Sequence, residues 1–212
     1  VRQHVNPLSR FFQEYIEIPS PSELFLNSHL PIHLDIGCAR GRFLLDLSRI
    51  ERNLNFLGID IRSALVERAE KERINLDRDN LRFIFCNANI SLENWLSKLS
   101  SYNLHRVSIQ FPDPWFKKRH QKRRVFKKSL LISLASSMKP GSQLFFQSDV
   151  YTVIKPMLDL VIESELFDIR IGQDSIWLDN NPFDFPTERE TYALENGLEV
   201  YRAMFYRNRK NI

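Results

Sequence analysis

Short apolar runs alternate with charged stretches at helical spacing along most of the chain, as expected where strands and helices take turns. Residues 32–36 (Ile-His-Leu-Asp-Ile) read as a first strand, and 41–50 as a helix with Phe43, Leu44 and Leu47 on one face. Residues 56–59 read as a second strand. Residues 62–76 then read as a helix laced with opposite charges, its apolar stripe including Leu65 and Ala69. A third strand over 81–86 leads into a short helix over 91–99, opened by a Ser91 cap. Val107 to Phe111 alternates as a fourth strand. Residues 124–138 read as a helix stopped by Pro140-Gly141, 144–146 as a fifth strand, and 152–166 as a helix.

About five strand–helix repeats, roughly 25 residues apart, predict βαβ units, a parallel sheet and helices on both its faces. The last third departs from this rhythm. Residues 167–171 and 200–206 are strand-like and flank an irregular Asp/Asn/Pro-rich insert over 178–186. That final pair is expected to form an antiparallel edge hairpin. The 212 residues are expected to be one domain, with 1–30 as an N-terminal extension and 111–128 as a basic segment.

Hydrophobic residues make up 43% of the chain and Phe occurs 16 times, enough to build a real core. No apolar run approaches the ~18 residues of a membrane helix, and no charged-then-apolar leader opens the chain, so neither membrane nor secretion is expected. Cys38 and Cys86 lie far apart without CxxC spacing, and His4, His29, His33, His105 and His120 show no metal-type spacing. Two reduced, partly buried thiols, no metal and a cytosol-like compartment are the expectation.

The net charge of +4 only hints at an anionic partner. Its distribution says more. No Asp or Glu occurs from Pro114 to Ser148, while Lys117, Lys118, Arg119, Lys122, Arg123, Arg124, Lys127 and Lys128 fall inside that window. One strongly positive face follows.

In a doubly wound sheet, ligands bind beyond the carboxyl ends of the strands. The first strand delivers Asp35, then Gly37 and Gly41 with Ala39 between them. Glycines at such a turn permit positive φ and close ligand approach. Ala39 and Arg42 break the GxGxxG dinucleotide fingerprint. A carboxylate ending a buried strand needs a partner, and a ligand ammonium would serve. The second strand delivers Asp60, suited to both hydroxyls of a ribose and equally to capping the next helix. The third delivers Asn87 and Ala88: the amide fits an adenine edge or a simple Asx turn, and the small Ala leaves room for a ring. The fourth delivers Phe111-Pro112-Asp113-Pro114-Trp115, where two prolines restrict the backbone around one carboxylate. The basic run directly behind it reads as a phosphate-contacting surface.

FPDPWFKKRHQKRR (111–124), together with LDIGCARG (34–41), GIDIR (58–62) and TERE (187–190), resembles bacterial and plastid-type tRNA (guanine-N7)-methyltransferases over nearly the whole chain. The resemblance implies a Rossmann-like class I methyltransferase fold: a doubly wound, mostly parallel, seven-stranded sheet with a C-terminal antiparallel edge hairpin. It implies S-adenosylmethionine as methyl donor, tRNA as partner, the variable-loop guanosine as target, and a monomer or homodimer in the cytoplasm or plastid stroma. Carried over residue by residue, it implies that Asp35, Gly37, Gly41, Asp60, Asn87, Ala88 and Asp113 line the cofactor site, with Asp113 as the catalytic acid. Lys117, Asp149, Thr187, Glu188, Arg189 and Glu190 are implied to bind substrate, although Thr-x-x-Glu is also a capping box.

The chemistry agrees with the absence of any Ser/His/Asp or Cys/His constellation. Guanine N7 carries an in-plane lone pair and no proton, so alignment rather than a base is the main requirement. Asp113 is therefore expected to orient the guanine and stabilise developing charge, with Trp115 either a stacking surface or a buried core side chain. A nicotinamide-dependent oxidoreductase and a non-catalytic RNA-binding module are the alternatives.

Overall fold

The computed structural model describes residues 5–99, 103–169 and 175–212. Its sheet is built from β1 (Ile32–Ile36), β2 (Asn55–Asp60), β3 (Leu81–Phe85), β4 (Leu104–Gln110), β5 (Met138–Ser148), β6 (Phe167–Asp168) and β7 (Tyr201–Arg207). Their order is β3-β2-β1-β4-β5-β7-β6. The first five strands run parallel; β7 lies antiparallel to both β5 and β6. The strand order reverses between β1 and β4, which makes their carboxyl ends the topological switch point.

Every residue of β1 and β2 is buried, as a central parallel sheet covered on both faces requires. Period-two alternation then divides the core. Leu34, Ile36, Leu57 and Ile59 point into one cluster, packed by α4 (Ala88–Lys98), α5 (Lys128–Ser137) and α6 (Tyr151–Ser164). Phe56 and Phe83 point into the other, packed by α2 (Arg42–Ile50) and α3 (Ser63–Asn75). Phe56, Phe145, Phe146 and Phe205 are fully buried, each contributing about 1.5–3 kcal/mol of transfer free energy.

Several predicted elements shift. The short helix begins at Ala88 rather than Ser91, because Asn87 caps it: its side chain accepts from the Asn89 amide. Ser91 lies within that helix and accepts from the Ile16 backbone instead. The helix expected over 124–138 starts only at Lys128, after a 3-10 segment over Lys118–Arg123. Arg124 is diverted to the Pro114 carbonyl at 3.3 Å, and Phe126 is pulled into the core. Pro140-Gly141 does not stop that helix, which ends at Ser137; both residues sit inside the long β5. The penultimate strand is two residues long, and 170–171 of its expected span lie outside the described residues.

The insert over 178–186 is irregular, as expected, but it is anchored. Phe183 and Phe185 pack on the second core cluster, Phe183 against Phe43 and Phe145 at centroid distances of 5.3 and 5.1 Å. This anchoring delivers α7 (Glu188–Glu195). Its Arg189 and Glu190 pair with Asp149, just after β5, and with Arg202 on β7.

Candidate active site

Asp35 is 4% exposed on β1. Its Oδ1 accepts from Ser108 Oγ at 2.6 Å and Gln110 Nε2 at 3.2 Å, and no hydrogen bond among the described residues reaches its Oδ2. Burial pushes its carboxyl up to about 6; the two hydrogen bonds oppose this, and the nearby Asp60 charge adds to it.

The turn after β1 tucks against the end of β2. The Gly37 and Cys38 amides both donate to the Ile59 carbonyl, at 2.8 and 3.0 Å. Gly37 has φ +90°, and a Cβ placed on it would meet open space along the cleft. Gly41 has φ +70° and serves a different end: a Cβ there would stand 2.3 Å from the Phe83 ring. Its bare Cα lets β3 close on the turn, and it is not among the cleft-lining residues. Ala39 also adopts a left-handed conformation, φ +52°, which aims its amide at Asp60 Oδ2, 2.9 Å away.

Asp60 ends β2 with its carboxylate fully engaged. Oδ1 accepts from the Arg62 amide at 2.9 Å and Arg62 Nε at 2.8 Å; Oδ2 accepts from Arg62 Nη2 at 2.8 Å. The hydrogen bonds to Asp60 raise the Arg62 guanidinium above its ordinary pKa, and the charge of Asp113 adds to the effect. Asp113 therefore lies within electrostatic reach of the pair at the tip of β2. Both Asp113 and Asp60 line one cleft, together with Gly37, Asn87, Gln110 and Trp115.

Asn87 lies in the cleft wall, and its amide is already committed. Nδ2 donates to the Pro7 and Phe12 carbonyls at 3.1 and 2.9 Å, while Oδ1 caps α4. The side chain thus fastens the N-terminal segment against the cleft, where Val5 and Pro7 form part of the lining. Ala88 follows in the same wall, 7% exposed.

The Phe111–Trp115 loop is bracketed by left-handed residues, Phe111 at φ +47° and Trp115 at φ +39°. Such conformations cost about 1–3 kcal/mol each and persist only where surroundings enforce them. Those surroundings are present. The Phe111 amide donates to the Gln147 carbonyl at 2.7 Å, Arg124 holds the Pro114 carbonyl, and Arg123 stacks over the Trp115 ring at 4.9 Å. Arg123 and Arg124 therefore brace this loop, a use that a run of positive charge does not disclose. Lys117, Lys118, Arg119 and Lys122 are exposed beside it.

The Thr187–Glu190 motif is both a cap and a connector. Thr187 Oγ1 accepts from the Glu190 amide at 3.1 Å, as an N-cap does. Glu188 pairs with Arg40 of the glycine turn at 3.4 Å, both half-exposed. Arg189 is ion-paired with Asp149. Glu190, 1% exposed, accepts from Arg202 Nε and Nη2 at 3.0 and 2.8 Å and from Gln147 Nε2 at 3.1 Å. Gln147 Nε2 also donates to Gln110 Oε1 at 2.7 Å. A buried hydrogen-bond chain thus runs from the α7 motif to Asp35. Sequence reasoning missed Ser108, Gln110, Gln147 and Arg202. One signal was present: Ser108 and Gln110 are polar residues two apart in an apolar strand, so they share a face.

A seven-stranded, mostly parallel sheet with carboxylates at neighbouring strand tips defines a class I methyltransferase. Solved structures of low identity share that fold: the 16S rRNA methyltransferase KamB (TM-score 0.57, 11% identity, 89% of this chain and 91% of that one) and the aminoglycoside resistance methyltransferase NpmB1 (TM-score 0.52, 15% identity, 88% and 90%). The family model described as "Putative methyltransferase" matches residues 29–203. The tRNA (guanine-N(7)-)-methyltransferase of Prochlorococcus marinus strain MIT 9313 is 55% identical over 208 residues, covering 98% of this chain and 88% of that protein. Its counterpart in Parasynechococcus marenigrum strain WH8102 is 52% identical over 208 residues, with the same coverage. The chain belongs to the tRNA (guanine-N7)-methyltransferase family, and the oxidoreductase and binding-module alternatives fall with that membership.

Proposed function

We propose that this enzyme transfers a methyl group from S-adenosylmethionine to N7 of a guanosine in the variable loop of tRNA. The observation that carries the reading is one cleft lined by Gly37, Asp60 and Asp113, opening beside exposed Lys117, Lys118, Arg119 and Lys122. S-adenosylmethionine would supply an electrophilic sulfonium methyl group. The residues present suit it. Asp35 is not itself among the cleft-lining residues but sits just behind the cleft-lining Gln110, with one oxygen left for an ammonium; Gly37 offers open space to a close-lying ligand, and Ala88 is small enough to admit a ring beside it. Asp60 would take ribose hydroxyls in exchange for the Arg62 guanidinium it now holds. Asn87 would act by holding the cleft wall, since its amide is committed to Pro7 and Phe12. Gly41 would act through packing alone.

Guanine N7 has no proton to remove, so Asp113, in the cleft lining, would serve as an orienting and electrostatic group for the positive charge that develops on the ring. Trp115 offers a stacking face. Lys117, Glu188 and the partly exposed Arg189 would meet the tRNA, Asp149 acting from behind by holding Arg189, while Thr187 and Glu190 keep α7 in place from within. The same reading sets the protein in the compartment that holds tRNA, the cytoplasm or the plastid stroma. Radiolabelled methyl transfer to unmodified tRNA, followed by nucleoside analysis, tests the assignment. The expected product is 7-methylguanosine from the variable loop; any other methylated nucleoside, or none, overturns it.

A further inference from the structure

Phe116 is 68% exposed, and no other aromatic side chain among the described residues is exposed to that degree. Its neighbours give this exposure a direction. Trp115 lines the cleft and is clamped there by Arg123, while the Lys117, Lys118 and Arg119 that follow are exposed. Trp115 is held at φ +39° and Arg124 grips the Pro114 carbonyl, and the loop so fixed leaves the next ring exposed. An exposed apolar ring thus follows directly on a cleft-lining residue and directly precedes three exposed cations. The aromatic group around Tyr151 is less suited to a polyanion: Tyr151 packs edge-on and tilted against Tyr201 and Trp177, and Tyr201 is hydrogen-bonded to Glu199 at 2.6 Å.

A guanine stacked in folded RNA must leave its neighbours before its N7 can enter a cleft, and the vacated space is costly. Apolar side chains inserted between bases are a general means of filling such a gap. We propose that Phe116 is this filler. As the target guanosine turns in beside Trp115, Phe116 takes its place in the stack, and Lys117 and Lys118 hold the flanking phosphates. The inference rests on the tRNA-guanine reading above and adds a residue that acts on substrate folding rather than on methyl transfer.

The test compares wild type, Phe116→Ala, Phe116→Leu and Phe116→Tyr on two substrates. One is unmodified tRNA; the other is the same tRNA altered so that its variable loop is open and the guanine already unstacked. The readout is the ratio of kcat/KM for N7 methylation on the two. Phe116→Ala should lower the folded-to-open ratio about tenfold, the scale of one missing base–aromatic stack. Phe116→Leu should fall between, and Phe116→Tyr should keep the wild-type ratio. A ratio unchanged in Phe116→Ala overturns the proposal, whether activity falls equally on both substrates or on neither. Wild type that forms no 7-methylguanosine on either substrate would instead remove the reading beneath it. The ring is exposed, so a melting curve suffices to show that the variants fold.

Discussion

Gln147 on β5 and Glu190 on α7 meet where the helix packs on the sheet: the Gln147 amide donates to Glu190 Oε2 at 3.1 Å and to Gln110 Oε1 at 2.7 Å. A carboxylate only accepts, so Glu190 dictates which way the Gln147 amide faces. That orientation turns the Gln110 carbonyl toward Gln147 and its amino group toward Asp35. The α7 motif and the tip of β1 are thereby aligned through two buried amides.

The Glu190–Arg202 pair supports this chain at its far end, with side chains 1% and 8% exposed. Removing one member of a buried pair strands the other charge in a low-dielectric interior. Glu190→Gln should therefore destabilise the fold by about 3 kcal/mol in urea denaturation. A loss under about 1 kcal/mol would mean that the pair behaves as a solvent-screened one.

Asp35 carries a stability cost in exchange for its site. Its folded-state pKa is raised from 3.8 to about 6. Between those values the folded chain keeps a proton that the unfolded chain has released, so stability falls as pH rises through that window. Above it, the penalty is on the order of 3 kcal/mol. Asp35→Asn keeps acceptors for Ser108 and Gln110, so it should be more stable than wild type above pH ~6, the gap closing toward pH ~4. Its affinity for S-adenosylmethionine should collapse. Urea unfolding at several pH values and calorimetric titration read the two effects; a gap that is the same at every pH excludes Asp35 as its source.

Asp60→Ala removes the group assigned to the ribose and leaves the basic face intact. The Michaelis constant for S-adenosylmethionine should rise about 100-fold, the loss of charge-assisted hydrogen bonds, while that for tRNA changes little. Equal rises in both constants count against the ribose role.

Lys117, Lys118, Arg119 and Lys122 are exposed cations beside the Phe111–Trp115 loop that can face a phosphate backbone; Arg123 and Arg124 are braced on Trp115 and Pro114. Changing the first four to Ala should weaken tRNA binding and flatten its dependence on salt. The log–log slope should drop by about 0.7–0.9 for each phosphate that is no longer neutralised. Changing Arg123 and Arg124 should instead distort the Phe111–Trp115 loop and lower kcat. A salt slope unaltered by the fourfold change refutes the phosphate-face assignment.

The alternation of apolar runs and amphipathic stretches along this chain was sufficient to assign a parallel βαβ sheet with an antiparallel pair at its end, because side-chain periodicity is a local property. The placement of Asp35, Asp60 and Asp113 near the carboxyl ends of neighbouring strands was legible for the same reason, since strand ends follow from the local pattern. Long-range partners were not legible. Whether Asn87 meets a ligand or the N-terminal segment, whether Gly41 frees space for a cofactor or for Phe83, and whether Arg123 binds phosphate or Trp115 each depends on residues distant in sequence. Glu190 makes the point most sharply. Thr187–Glu190 has the spacing of a cap and is one, yet the Glu190 carboxylate belongs to Arg202 and Gln147, a pairing that exists only once β7 lies beside β5.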